Sequence, residues 1–168
     1  MNKEVFLEEL KKINIELTEE QLKKLDQFYH FMLEWNEKIN LTRITEEEDV
    51  YLKHFYDSLT LNKVVDLKNT KTLCDIGTGA GFPGIVLKIV FPNLKVTLID
   101  SLNKRVNYLN EVIKKLKLKD IVAVHSRGEE LTEEVKNKLS RKYNIIKVEE
   151  FYLPIENSKR SFIIMKNK

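Results

Sequence analysis

The spacing of apolar residues changes near residue 70. Before it, apolar positions recur at helical intervals. Val5, Phe6, Leu7 and Leu10 predict an amphipathic helix over 3–12. A longer helix is predicted in LTEEQLKKLDQFYHFMLEWNEKIN, where Leu22, Leu25, Phe28, Tyr29, Met32 and Ile39 fall on one face. Thr18 is its expected N-cap, and Gln21 completes a capping box. EEEDVYLKHFYDSLTL opens with acids, as first helical turns prefer, and is expected to be helical through about Leu61. After Lys71, short apolar runs alternate with helical ones. TLCDIG reads as a strand, GIVLKIVF as a helix stopped by Pro92, and KVTLID as a second strand. NKRVNYLNEVIKKLKL is a second helix, with Val106, Leu109, Val112, Ile113 and Leu116 on one side, and IVAVH is a third strand. EELTEEVKNKLSRKY is expected to be a third helix. IIKVEEFYLP and RSFIIMK are expected to be the arms of a hairpin around Pro154–Ser158. Strand–helix alternation predicts an α/β fold with a parallel sheet and right-handed crossovers. A helical N-terminal region over 1–66 would pack on an α/β core over 67–168, the two working as one domain.

Composition narrows the class. The chain has 168 residues, 42% hydrophobic and 33% charged, which suits one soluble domain. No apolar run approaches the ~20 residues of a membrane span. MNKEVFLEELKK has no apolar signal core, and the lone Cys74 excludes an internal disulfide and fits a reducing compartment. A cytoplasmic location is therefore expected. No Cys/His group has zinc spacing, so no metal is expected. The net charge of +3 conceals an asymmetry: residues 1–60 hold 8 Lys/Arg and 14 Asp/Glu, residues 61–168 hold 21 and 12. A basic second portion raises the odds of a polyanionic partner, although lysines also simply solubilise a surface.

The candidate chemistry lies in CDIGTGAGFPG. Gly77, Gly79, Gly81 and Gly84 are four of only five glycines in the chain. Their loop follows the first strand, where α/β sheets bind ligands. Read from Gly79, GAGFPG also satisfies the dinucleotide fingerprint, so the bare pattern leaves a nicotinamide dehydrogenase open. A Walker phosphate loop is excluded, because no Gly-Lys-Ser/Thr follows. Asp75, two residues before Gly77, would repel a pyrophosphate and favour the sulfonium and ammonium of S-adenosylmethionine. Asp100 ends the second strand, where a carboxylate can accept from ribose hydroxyls. HSRGEEL follows the third strand, where an adenine edge would lie. Either acid alone could be a helix cap or a surface residue. Together with the glycines they favour S-adenosylmethionine as cofactor.

LCDIGTGAGFPGIVLKIVFP, VTLIDSLNKRVNYLNEV and HSRGEEL resemble the ribosomal RNA small subunit methyltransferase G family. WNEKINLTRITEEEDVYLKHFYDSL is similar to its W-N-x-x-x-N-L-T and H-x-x-D-S segments, and LPIENSKRSFIIMKNK resembles its last strand. The resemblance implies a Rossmann-like class I methyltransferase sheet with an N-terminal helical extension. It implies methyl transfer from S-adenosylmethionine to guanine N7 in 16S ribosomal RNA, with that RNA or the small subunit as partner; a monomer is expected. Carried over by motif, Gly77 and Phe82 would line the cofactor loop with Asp75, Gly79 and Gly81. Asp100 would hold the ribose, and Gly128 and Glu129 would flank the adenine. Arg127 and Arg160 would face the RNA or the target base as the catalytic pair. Asn36, Asn40, His54 and Asp57 would join the N-terminal helices to the mouth of the site.

One segment departs from the family. After His125, 43 residues remain, and none matches the family's Ser-Arg-Ala segment or its fourth-strand arginine. Either RKYNII begins that segment, or LTEEVKNKLSRKY is already the last helix. Strands four and five are then expected to be missing, and the hairpin is expected to pair beside the first strand in a five-stranded sheet. This leaves a second functional reading, a relative that binds S-adenosylmethionine or rRNA without methyl transfer.

Overall fold

A computed structural model describes residues 1–126, and the backbone of 143–152 and 159–167. Helix α1 (Lys3–Lys12) begins where the Asn2 side chain accepts the Val5 N–H, and it buries Phe6 and Leu10. Helix α2 (Glu19–Ile39) starts with the expected box. The Thr18 hydroxyl accepts from Gln21 N–H at 3.2 Å, and the Gln21 side chain accepts from Thr18 N–H at 2.8 Å. Its amide nitrogen reaches further, donating to Ile89 O at 3.3 Å and Val90 O at 2.9 Å. Asn40 ends α2 in the left-handed region, with φ 51°.

The next helical stretch is not uniform. It runs as α3 (Glu47–Val50), a π-helical turn over Tyr51–Tyr56, α4 (Asp57–Leu59) and a 3-10 turn over Thr60–Lys63. The π turn buries Tyr51 and Phe55. Their rings join a row of aromatic contacts from α1 to the glycine loop: Phe6 to Tyr51 at 5.1 Å, Tyr51 to Phe55 at 5.0 Å, Phe55 to Phe28 at 6.0 Å and Phe28 to Phe82 at 5.4 Å. Burial pushes the Tyr51 phenol up to about 12.

Strands β1 (Thr72–Ile76), β2 (Lys95–Asp100) and β3 (Ile121–His125) form a parallel sheet in that order. Helices α5 (Gly84–Val90) and α6 (Asn103–Lys115) cross between them. Alternation sends side chains to opposite faces. Asp75, Leu98 and Asp100 are buried on one face, while Ile76, Val122 and Val124 of the other are exposed. The glycine loop and Asp100 share the carboxyl end of this sheet.

Strands β4 (Tyr143–Tyr152) and β5 (Lys159–Asn167) pair antiparallel, as the expected hairpin. They form a separate two-stranded sheet, so the five-stranded sheet expected from the sequence is not formed. The two arms satisfy each other over nine residue pairs, and pairing with a chain neighbour closes a shorter loop than pairing with β1. The fourth and fifth strands, expected to be missing, would fall over residues 127–142, which lie outside the described residues. Of EELTEEVKNKLSRKY, expected to be helical, Tyr143 opens β4 instead, and the rest, like the turn over Pro154–Ser158, lies outside the described residues. Met1–His125 form one compact unit and Ser126–Lys168 another, so the N-terminal helices share a unit with the first three strands.

One buried cation secures the α5–β2 connection. Lys88, 2% exposed, donates from Nζ to Pro92 O at 2.7 Å and to Leu94 O. Burial holds its pKa below the ordinary lysine value. Lys88→Met keeps the stem and strands both carbonyls. We expect a loss of about 2–3 kcal/mol, read as an earlier urea midpoint at unchanged slope.

Candidate functional site

The glycines serve two purposes, and Gly81 serves both. Gly77 (φ 76°), Gly79 (φ 58°) and Gly81 (φ 100°) adopt conformations that side chains disfavour. A Cβ on Gly77 would meet nothing within 4 Å, so the loop offers open space beside its backbone. Gly81 and Gly84 are needed for packing. A Cβ on Gly81 would lie 2.7 Å from Ile85 Cγ1, and one on Gly84 would lie 2.2 Å from Leu98 Cδ2. The loop is also pinned to β2, since Gly77 N–H and Thr78 N–H both donate to Ile99 O, at 2.8 and 3.1 Å.

Asp75 and Asp100 sit on the buried face of adjacent strands, 7% and 3% exposed. Asp75 Oδ2 accepts from the Thr78 hydroxyl at 2.7 Å and from Gly84 N–H at 2.9 Å. In this geometry Asp75 braces the loop from within. Asp100 Oδ2 accepts from Gly79 N–H and Oδ1 from Leu102 N–H, both at 2.9 Å. A carboxylate has about four lone-pair directions, so two backbone donors leave capacity for a diol. Arg105 Nη1 lies 3.6 Å from Asp100 Oδ2, and Arg105 Nε is buried with no hydrogen-bond partner among the described residues.

Phe82 links this loop to the N-terminal helices. Its ring, 8% exposed, stacks on His54 at 4.3 Å and 9° between planes. His54 Nε2 lies 3.2 Å from the Thr42 hydroxyl, and the Asn36 side chain accepts Thr42 N–H at 2.8 Å. The left-handed Asn40 turns the chain between those two residues. Asp57 begins α4 one turn after His54, and its carbonyl accepts from the Thr60 hydroxyl. The structure thus brings Asn36, Asn40 and His54 behind Phe82 through contacts that spacing did not specify. Arg127, Gly128 and Glu129 lie outside the described residues. Arg160 is on β5, in register with Phe151.

Sequence reasoning missed several supports. Tyr108, fully buried on α6, donates to Ala80 O at 3.2 Å inside the glycine loop, and burial raises its pKa. Trp35 packs 5.7 Å from the Tyr108 ring. The ring of His125, which ends β3, lies with Nε2 3.0 Å from Ser101 O and ties the turns after β2 and β3 together. The apolar stripe of α6 placed Leu109 and Val112 inward, and Tyr108 beside them was the available signal. Cys74 lies on the other face of β1, and burial pushes its thiol up to about 11, against a nucleophilic role. Among the described residues no group of three His, Cys, Asp or Glu is placed to hold a metal ion, and no helix is long and apolar enough to cross a membrane.

A parallel βαβαβ unit, with its glycine loop and a strand-end acid at the carboxyl edge, defines a Rossmann-like cofactor-binding protein. The family model described as rRNA small subunit methyltransferase G matches residues 21–168, and the chain belongs to that family of methyltransferases. The chain is 52% identical over 129 residues to a ribosomal RNA small subunit methyltransferase G of Staphylococcus aureus (strain JH9), covering 77% of this chain and 54% of that protein. It is 51% identical, with the same coverage, to the protein so described from Macrococcus caseolyticus (strain JCSC5402). The chain therefore spans about half the length of the curated relatives it matches. A solved protein-L-isoaspartate O-methyltransferase of Plasmodium falciparum, in complex with S-adenosyl-L-homocysteine, is 19% identical, with a TM-score of 0.48 over 83% of this chain and 69% of that one.

Proposed function

We propose that this chain binds S-adenosylmethionine and methylates guanine N7 in 16S ribosomal RNA. The observation that carries the cofactor half is the Asp100 carboxylate, bonded to Gly79 N–H beside the open backbone of Gly77. The family match carries the RNA half. Asp100 would accept from the ribose hydroxyls while it holds the glycine loop. Gly77 would let the methionine portion lie against the backbone, which a Cβ there would obstruct. Gly128 and Glu129 would flank the adenine, and Arg127 and Arg160 would face the RNA. Phe82, backed by His54, would wall the loop and exclude water. In this geometry Asp75 supports the reading as a brace that sets the loop's shape.

Bound S-adenosylmethionine supplies a methyl group on a positively charged sulfur. Guanine N7 offers a lone pair and has no proton to lose, so a transfer in which the carbon–sulfur electrons return to sulfur, leaving S-adenosylhomocysteine, would need no general base from the chain. Its residues align donor and base and exclude competing water. This fits a site whose histidines are engaged in stacking and backbone contacts. The reading of a non-catalytic relative gains no support from the family match.

The test has two parts. Adenosylhomocysteine at about 100 times its Kd should stabilise the chain by about 2.7 kcal/mol, whereas NAD should not. Methyl-labelled S-adenosylmethionine, incubated with small subunits from cells lacking this modification, should place label on guanine N7. Stabilisation without label would remove the proposed activity and keep the proposed cofactor.

A further inference from the structure

Among the described residues, four lysines of the N-terminal helical region are held in ion pairs: Lys3 with Asp26 and Glu47, Lys12 with Glu9, Lys24 with Glu20 and Lys53 with Asp49. Lys11, Lys23 and Lys38 of the same region are not, but they are spread along two helices rather than gathered at one edge. Around the amino ends of the sheet strands, Lys63, Lys68, Lys71, Lys95, Lys117 and Lys119 are all exposed. None of these six is held in an ion pair among the described residues. Lysine costs side-chain entropy to immobilise, and unpaired neighbours repel one another, so such a cluster gains most from an outside polyanion.

The backbone shows that the cluster is one surface. Lys95 N–H donates to Lys71 O at 2.9 Å, and Val96 N–H donates to Asp120 O at 2.9 Å, beside Lys119. Lys71, Lys95 and Lys119 therefore enter three adjacent strands, each about 4.8 Å from the next. The nearby acids are Glu16, Asp66 and Asp120, and Asp66 is committed to the Asn69 backbone and side chain. Next to the lysines lies a polar cavity of about 580 Å³, lined by Lys11, Asn14, Glu16, Lys68 and Asn93 among others. A second, of about 360 Å³, is lined by Asn62, Lys63 and Asp66 and shares Asn14 and Lys68 with the first. Unpaired ammonium groups beside amide-lined hollows suit phosphates and ribose hydroxyls.

We propose that this amino-end surface is a second docking site for the phosphate backbone of folded RNA, remote from the methyl-transfer site. It rests on the rRNA substrate argued above. The glycine loop lies at the opposite ends of the same strands, and strands of five or six residues span about 17–20 Å. A single nucleotide cannot bridge that distance. A folded RNA, charged on every side, can engage both ends, so the surface selects a structured substrate over a short strand.

The test uses the full chain and deproteinised 16S rRNA, with binding followed between about 50 and 200 mM salt. One variant carries Lys71→Gln, Lys95→Gln and Lys119→Gln. A matched variant removes the same charge through Lys12→Gln, Lys24→Gln and Lys53→Gln. The strand-end variant should weaken binding about ten-fold or more at the lower salt and reduce the log–log salt slope by about 2, at about 0.7 per phosphate contact. The matched variant should hold the wild-type slope, and both should bind adenosylhomocysteine within about two-fold of wild type, which verifies folding. Equal losses in the two variants, or none in the strand-end variant, would overturn the docking site while leaving the methyltransferase reading standing. No binding of 16S rRNA by the wild type would remove both. A strand-end variant that loses phosphatidylglycerol vesicles but keeps rRNA would replace the RNA with a membrane surface.

Discussion

Asp100→Asn is expected to weaken adenosylhomocysteine binding by about 100-fold. The change is small in shape and large in bonding. Both carboxylate oxygens of Asp100 accept backbone N–H groups, one from Gly79 and one from Leu102. An amide has one acceptor and one donor end, so whichever way it turns, an N–H faces an N–H. The glycine loop or the turn after β2 must then shift, and Arg105 loses the charge beside it. A hydrogen bond to a charged group contributes about 1.5–3 kcal/mol, and each 1.4 kcal/mol is a factor of about ten. In the proposed complex, two weakened bonds to the ribose would account for the stated loss even before the loop moves. Titration calorimetry with adenosylhomocysteine reads it directly. Asp66→Asn, which changes an exposed acid elsewhere, is the control. An affinity for Asp100→Asn equal to wild type would move the ribose away from β2.

The second large effect concerns folding. Gly84→Ala adds one carbon, placed 2.2 Å from Leu98 Cδ2 and 2.9 Å from Asp75 Oδ2. Neither neighbour can yield cheaply, because Leu98 is fully buried and Asp75 is held by Thr78 and by Gly84 itself. Overpacking of this kind costs about 1–3 kcal/mol, and losing the Gly84 N–H to Asp75 adds about 1–3 more. At about 2–4 °C per kcal/mol for a chain of this size, a melting temperature lower by about 4–24 °C is expected, with the middle of both ranges at about 12 °C. Gly77→Ala makes the comparison informative. Its added carbon meets nothing, so it should lower the melting temperature by only a few degrees, from the left-handed backbone alone. It should nevertheless obstruct ligand approach. Similar melting losses in the two variants would contradict the division of the glycines into packing and approach positions.

Much of this was legible in the chain because local physics sets it. The capping box at Thr18 and Gln21, the strands at TLCDI and KVTLID, and the helix over 103–115 follow from spacing and from turn residues. The glycine loop announced itself by composition. What spacing could not give was direction. Asp75, expected two residues before Gly77, lies on β1, and the inward turn of its carboxylate depends on where Thr78 and Gly84 bring their donors. A helical stretch from the acidic EEED run to about Leu61 was expected, yet its π turn was not. One extra residue in a turn has no compositional marker and is selected by the packing of Tyr51 and Phe55. The Phe82–His54 stack joins residues 28 positions apart, which no periodicity reports. The hairpin arms were readable, whereas their separation from the main sheet is a matter of long-range pairing, which sequence patterns do not specify.

Gln21 carries a further meaning. Its carbonyl oxygen completes the first turn of α2, and its amide nitrogen holds the last carbonyls of α5, nearly seventy residues away in the chain. The unsatisfied donors of one helix and the unsatisfied acceptors of another are thus closed by a single side chain. Fraying of either end releases the other. Opening of the first turn of α2 is therefore expected to be coupled to opening of the last turn of α5, which ties the start of the helix carrying the Trp35–Asn40 motif to the end of the helix that follows the glycine loop.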